Sequence, residues 1–250
     1  MKNPAAGGGR WVEVPPERFV SWIVTFTERH GGVDGIAESK PADGVAGTMA
    51  GAVGTVTFTA ADGAVAECHP PFPAPLLFPV SRSSPGGERA VAGALAAHAA
   101  ADRTVGVLLV RLGGYAVGVF SGVPPGLVSS KTGSRPVHGR SAAGGWSQQR
   151  FARRRENQAA TALRAAADAA AEVFGRYGPG GLDAVVLGGD KRSAAGLRDD
   201  ARLAEYLARA ADRFLTVPDP RLAVLRETPR AFLAIRIRLT EPESAGPAPG

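Results

Sequence analysis

The residues best suited to chemistry lie in one run, Gly139-Arg140-Ser141-Ala142-Ala143-Gly144-Gly145-Trp146-Ser147-Gln148-Gln149-Arg150-Phe151-Ala152-Arg153-Arg154-Arg155. Gln148 and Gln149 supply primary amides. An amide takes no proton at neutral pH, so neither residue is a general base. Such a group instead orients a water through its oxygen and donates N–H to a developing oxyanion. That chemistry suits ester hydrolysis, where the leaving group needs little acid assistance. Gly144 and Gly145 carry no Cβ, which lets the backbone take positive φ and come close to a ligand. Ser147 is read as a helix N-cap before it is read as a nucleophile, because no acid or histidine lies within two residues to take its proton. Trp146 is either a buried ring or a stacking surface, and both readings stand.

Charge singles out the same stretch. From Lys131 to Arg155 the chain has seven basic residues, Lys131, Arg135, Arg140, Arg150, Arg153, Arg154 and Arg155, and no acid. A charge run is commonly a solvated helix face. Here Arg150, Arg153 and Arg154 stand at i, i+3 and i+4, on one side of a helix and at its positive N-terminal end. Like charges so placed repel, which costs stability unless an anion is bound. The loop is therefore expected to hold an anionic polymer beside the amide.

The elements that must position this loop follow from periodicity. A long helix is expected over 148–177, with Ala152, Ala159, Leu163, Ala166, Ala170, Val173 and Tyr177 along one stripe and Gly178-Pro179-Gly180-Gly181 as its stop. Strands are expected over 105–112 and 115–120, joined at Gly113-Gly114, with a third at 128–131. Downstream come a fully apolar strand at 184–187, an amphipathic helix over 199–214 and a closing strand at 232–239. Upstream, a strand at 11–14, a helix opened by Pro15-Pro16-Glu17 and ended by His30-Gly31-Gly32, and a hairpin of 54–59 with 64–68 form a smaller unit. The Pro-rich stretch Pro70 to Pro75 and the Ser/Gly segment 81–87 read as a linker. The expected organisation is an N-terminal α/β domain at 1–75, a linker at 76–87, a second domain at 88–240 opened by an Ala-rich helix at 88–101, and a frayed tail at 241–250. The fold class is α/β (α+β), a mixed sheet with flanking helices preceded by the smaller domain.

Composition bounds the partners. The chain of 250 residues has 44% hydrophobic residues and a formal charge of +6, which favours an acidic partner such as nucleic acid or a membrane surface. The lone cysteine, Cys68, rules out an intrachain disulfide and a cysteine-rich zinc site. His30, His69, His98 and His138 lack ligand-like spacing, so no metal and no cofactor are expected. Residues 1–10 have no apolar core of a signal peptide, and no run of 18 strongly apolar residues occurs. A cytoplasmic location without membrane partners is the expectation, and oligomeric state is not legible.

The segment Gly144-Gly145-Trp146-Ser147-Gln148-Gln149-Arg150-Phe151-Ala152-Arg153 resembles the catalytic loop and helix start of the eukaryotic and archaeal class of peptide-chain release factors. Their Gly-Gly-Gln precedes a helix with a similar Arg-Phe-Ala-Arg. It is more similar still to the Vms-like release-factor family, peptidyl-tRNA hydrolases of ribosome quality control, in particular its actinobacterial branch. There a Gly-x-x-Gln pattern stands in place of Gly-Gly-Gln, and Gly145-Trp146-Ser147-Gln148 matches it. The resemblance thus implies Gln148 as the catalytic amide, with Gln149 the second choice. Aligned on Arg150-Phe151-Ala152-Arg153 instead, Trp146 takes the place of the release-factor glutamine. The resemblance spans roughly 105–239, includes the turn Val186-Leu187-Gly188-Gly189-Asp190-Lys191, and implies an RNase H-like fold. It implies an enzyme that hydrolyses peptidyl-tRNA on the large ribosomal subunit. Lys131, Arg135, Arg140, Trp146, Arg150, Arg153, Arg154 and Arg155 would hold rRNA or the tRNA acceptor end.

A rival from another class is a ribosome- or RNA-binding factor without chemistry, in which Trp146 stacks on a base and the arginines grip phosphate. A two-metal nuclease is excluded, because residues 105–120 and 128–131 contain no Asp or Glu. No Gly-x-x-x-x-Gly-Lys-Ser/Thr phosphate loop is present.

Overall fold

The computed structural model describes residues 3–4, 8–39, 52–75, 86–111, 114–134 and 147–242, the side chains of 3–4, 52–53, 75 and 147–159 excepted. In chain order the elements are β1 (Asn3–Pro4), β2 (Arg10–Val14), α1 (Pro16–Arg29), β3 (Val33–Ser39), β4 (Ala52–Val53), β5 (Thr55–Ala60), β6 (Val65–His69), β7 (Ala74–Pro75) and α2 (Gly87–Ala100). There follow β8 (Val105–Arg111), β9 (Gly114–Ser121), β10 (Gly126–Ser134), α3 (Ser147–Gly175), β11 (Ala184–Gly189) and α4 (Lys191–Ala195). The chain closes with α5 (Ala204–Leu207), β12 (Ala210–Leu215), α6 (Leu222–Phe232) and β13 (Ile235–Thr240). They form two compact units, one of residues 1–101 with 233–250, the other of residues 102–232.

The first unit is an antiparallel sheet in the order β1-β2-β13-β6-β5-β3. Strand alternation sends Val56, Phe58 and Ala60 of β5, Ala66 and Cys68 of β6, and Ile235, Ile237 and Leu239 of β13 into one core. Helices α1 and α2 supply its other half. α1 opens with Pro16 at its first position, where a missing N–H costs nothing, and buries Phe19, Ile23 and Phe26 at helical spacing. α2 buries Val91, Ala92, Leu95 and Ala99. The Cys68 thiol is buried there, and burial pushes its pKa upward, so it stays protonated and unreactive.

The second unit holds a five-stranded sheet in the order β10-β9-β8-β11-β12. β8, β11 and β12 run parallel, while β9 runs antiparallel to both β8 and β10. A mixed sheet in the order third, second, first, fourth, fifth, with only the second strand reversed, is the RNase H-like arrangement the resemblance implied. Its core joins Leu108, Val110, Val117, Val119, Val185 and Leu187 of the sheet to Ala166, Ala170, Val173 and Phe174 of α3.

The domain boundaries differ from those read in the sequence. The sequence pattern assigns the Ala-rich helix at 88–101 and the closing strand to the second domain at 88–240, yet both belong to the first unit. α2 packs into the first core, and β13 pairs with β2 on one side and β6 on the other. The reason is physical: Ile235, Ile237 and Leu239 alternate in a way either sheet could bury, and only the long-range pairing selects one.

The helix expected at 199–214 is a second correction. Ala201–Leu203 forms a 3-10 turn, α5 is one turn long, and residues from Ala210 pair with β11 as strand β12. Leu203, Tyr206 and Leu207 are buried at helical spacing, but the open edge of β11 takes the chain beyond them. The sequence reading also passed over β3 and α6. α6 runs through Pro229, a helix-breaking residue by the usual rule. Residue 232, assigned to the closing strand, ends α6 instead. The tail at 243–250 lies outside the described residues.

Candidate functional site

The site is built on α3, a helix of 29 residues rich in alanine and therefore of high intrinsic helicity. At 1.5 Å per residue it is about 44 Å long, whereas a strand of seven residues such as β8 spans about 23 Å. Among its described side chains, those of the C-terminal part are packed. Ala166, Ala167, Ala169, Ala170, Val173 and Phe174 are buried, Leu163 and Tyr177 partly so, and Ala160 and Thr161 are exposed. Of the stripe expected on this helix, 163, 166, 170, 173 and 177 face the core; the side chains of Ala152 and Ala159 lie outside the described residues. The helix stops where Gly178 takes φ +67° and its N–H returns to the carbonyl of Phe174.

The direction of α3 decides where its first turns lie. Phe174 packs over Gly106 at the start of β8, and Leu163 reaches Gly196 just beyond α4, which follows β11. The helix therefore runs against β8 and β11, its N-terminus toward their carboxyl ends. β10 ends there too, since Ser134 pairs with Gly114 and so does Arg111 of β8. In open α/β sheets this is the end at which ligands collect, where the strand order reverses between β8 and β11.

Ser147 opens α3, Gln148, Gln149 and Arg150 complete its first turn, and Arg153, Arg154 and Arg155 follow in the next two. Gln148 stands about 22 Å along the axis from Leu163. No acid occupies the first turn, so nothing in it offsets the positive helix end. The side chains of these residues lie outside the described residues, as do Arg135, Arg140, Gly144, Gly145 and Trp146 in their entirety.

Lys131 is described, and its ammonium is engaged. It donates to the carboxylate of Glu172 on α3, which also accepts from Arg176 at 2.9 Å. The Lys131 hydrogen bond and charge hold the Glu172 carboxyl below its usual range, and Glu172 raises Lys131 in turn. This pair ties β10, the strand before the loop, to the helix after it. A second tie leaves α3 one turn earlier: Arg202 reaches Asp168 at 2.9 Å and Asp200 at 2.7 Å.

The turn after β11 needs both of its glycines. Gly189 has φ +101°, and a Cβ there would fall 2.1 Å from the carbonyl oxygen of Val110. A Cβ on Gly188 would fall 2.7 Å from that of Leu215. Asp190 then caps α4, accepting from the hydroxyl of Ser193 at 2.7 Å and its N–H at 2.9 Å, bonds that lower its pKa. Arg111, at the end of β8, donates to the carbonyl of Val217 at 3.0 Å. Lys191, Arg192 and Arg198 are exposed in this stretch and are offset in number by Asp190, Asp199 and Asp200.

Among the described residues no group of three or more His, Cys, Asp or Glu is placed to hold a metal ion. β8, β9, β10 and β11 carry no carboxylate at all. No helix among the described residues is long and apolar enough to cross a membrane.

The family model of the Actinobacteria/chloroflexi VLRF1 release factor matches residues 103–238. Among solved structures the chain is similar to the archaeal translation termination factor aRF1, with 13% identity, 67% of this chain and 46% of that one covered, and a TM-score of 0.36. A second, described as an archaeal protein, has 12% identity, coverage of 68% and 48%, and a TM-score of 0.32. The chain thus spans under half the length of either structure. No curated protein matches it. The family match takes in more than half of the chain and every element of the second unit, from β8 through the glutamine-bearing start of α3 to α6, and on that basis the chain belongs to the Actinobacteria/chloroflexi VLRF1 release-factor family.

Proposed function

We propose that this protein is a peptidyl-tRNA hydrolase, releasing nascent chains from tRNA on the large ribosomal subunit in cytoplasmic ribosome rescue and quality control. The observation that carries the reading is the placement of Gln148 in the first turn of a long helix. The acid-free end of that helix is followed directly by Arg150, Arg153, Arg154 and Arg155, within the segment the family model covers.

The amide of Gln148 orients a water against the ester carbonyl and donates N–H to the oxygen that gains negative charge. The new bond joins the water oxygen to the carbonyl carbon; the bond that breaks joins that carbon to the ribose oxygen of the tRNA. Gln148 takes no proton. The water's proton passes to the departing ribose oxygen, with the neighbouring 2′-hydroxyl as carrier, as the family likeness implies. Gly144 and Gly145 allow the loop backbone to approach the acceptor end, Trp146 stacks on it, and Arg135, Arg140 and the arginines of α3 hold phosphate. The length of α3 supports this, because it carries the amide well away from the bulk of the second unit into a confined substrate site.

The test is release of labelled peptide from peptidyl-tRNA bound to large subunits, comparing the unaltered protein with Gln148→Ala and Gln149→Ala. Loss in Gln148→Ala alone establishes hydrolysis and the amide; loss in Gln149→Ala alone moves the role by one residue. Binding to the subunit without release by the unaltered protein overturns the enzymatic reading in favour of a non-catalytic RNA-binding factor.

A further inference from the structure

A cleft in the first unit, remote in sequence from the glutamine loop, has the chemistry of a nucleotide site. It lies between α1 and β2 and has a volume of about 430 Å³, within the size range of small-ligand sites. One wall is a stripe of α1, Arg18, Ser21, Trp22, Thr25 and Arg29, residues that recur at helical spacing along one face. Arg18 and Arg29 stand about 16 Å apart along the helix axis, one toward each end of the cleft. Both are exposed, and among the described residues neither takes part in an ion pair. Glu17 and Glu28, their chain neighbours, are turned about 100° away around the helix.

The rest of the lining explains why an anion would enter here rather than stay in water. Trp22 is half-buried and stacked on Phe26, ring centroids 5.8 Å apart and planes within 6°, which holds the indole rigid at the cleft. The hydroxyls of Ser21 and Thr25 donate back to the carbonyls of Arg18 and Ser21, at 2.9 and 3.0 Å. What they present to the cleft is lone pairs, which accept hydrogen bonds from ribose hydroxyls or a base amino group. Arg10 is already matched by Glu241 at 3.3 Å, and His30 meets Asp62 at 2.8 Å, so both of these groups are already engaged. Among the described residues Glu13 is the one carboxylate that lines the cleft.

We propose that this cleft binds a nucleotide unit, its base against Trp22 and its phosphate on Arg18 or Arg29. The ligand is a free nucleotide or one nucleotide of a single RNA strand. Unpaired guanidinium groups flanking an aromatic ring and hydroxyl acceptors match base, sugar and phosphate together. An acidic peptide would use the arginines but neither the ring nor the acceptors.

The experiment is fluorescence anisotropy of a labelled short oligoadenylate with the full chain carrying Arg153→Ala and Arg154→Ala, so that binding by α3 is suppressed. In that background Arg18→Glu with Arg29→Glu is expected to weaken binding about tenfold or more, and Trp22→Leu by a similar factor. The two arginine changes should also lower the salt slope by about 0.7, the value for the one phosphate held on a single strand. Circular dichroism verifies folding, which the exposed arginines make secure. Displacement of the probe by adenosine monophosphate identifies a free nucleotide as sufficient; displacement only by unlabelled strand identifies RNA; both uphold the site. Binding within about twofold of the background protein after both arginine changes, or equal displacement by oligoglutamate, overturns it. The readout is binding alone, so its failure leaves the hydrolase reading untouched.

Discussion

In the first unit every strand runs against its neighbours, from β1 to β3, whereas in the second β8, β11 and β12 run the same way. An antiparallel sheet sends its connections alternately to both ends, so no single edge gathers them. A set of parallel strands brings all carboxyl ends to one edge. That is why the second unit can assemble Arg111, the Gly188-Gly189-Asp190 turn and the approach to α3 at one place, from residues far apart in the chain. The first unit builds its cleft differently, from one helix face laid along one strand. Tryptophan and arginine share one helix face in the first unit and lie close in sequence to Gln148 and Gln149 in the second.

The largest effect expected is one that separates the two regions by activity. Gln148→Ala should slow peptide release by about 10²–10³, as for loss of one oxyanion donor, without moving the unfolding midpoint, measured by release kinetics beside thermal denaturation. Truncation of Phe58, fully buried in the first unit, should do the reverse. Phe58→Ala is expected to cost about 3–5 kcal/mol in denaturant titrations. An intact release rate at a temperature where that variant stays folded would sharpen the contrast. Equal loss of release and stability in Gln148→Ala would erase it.

Gly189→Ala tests whether the second unit depends on its close backbone turn. With φ +101° and a Cβ only 2.1 Å from the Val110 oxygen, the variant should lose about 2–4 kcal/mol of stability. Gly35 offers the control, since a Cβ there meets nothing within 4 Å, and Gly35→Ala should stay within about 0.5 kcal/mol of the parent.

The smallest effect expected is acid sensitivity at the tie between β10 and α3. Glu172 has its pKa lowered from 4.5 chiefly by the Lys131 hydrogen bond, so its contribution is present in full above pH 4.5 and is lost as pH falls through the depressed folded value. Lys131→Met should flatten that acid limb in a series of unfolding midpoints against pH. An unchanged limb would remove this pair from the account of how α3 is held.

Much of this was legible in the sequence because the signals were local. The hairpin β5–β6 follows from alternating apolar residues around Asp62-Gly63, α1 from Pro16 and the spacing of Phe19, Ile23 and Phe26, and α3 from its alanine-rich stripe. Where two periodicities overlapped, locality failed. Leu203 and Leu207 are spaced as on a helix and are buried, but Ala210 and Phe214, which extend that spacing, pair with Val185 and Leu187 as strand. β3 was missed because Val33-Asp34-Gly35 opens it with turn-forming residues. Its identity as a strand comes from the free edge of β5. At the site, the glutamines and arginines stood out by type and spacing. The engagement of Lys131 with Glu172 did not, since their partnership spans 41 residues.

The chain alone specifies that a glycine-rich loop leads into a basic helix start with an amide at its head, because residue type, helical spacing and absence of acid are properties of a short stretch. It likewise determined the cores of most helices and strands, whose period is set by backbone geometry. Long-range packing selects the place of β13 between β2 and β6 and groups α2 with α1. Packing also places Arg18 and Arg29 along a cleft between α1 and β2. These are choices among partners of equal local fitness, and they are settled by which pairing buries the most apolar surface and satisfies the most backbone hydrogen bonds at once.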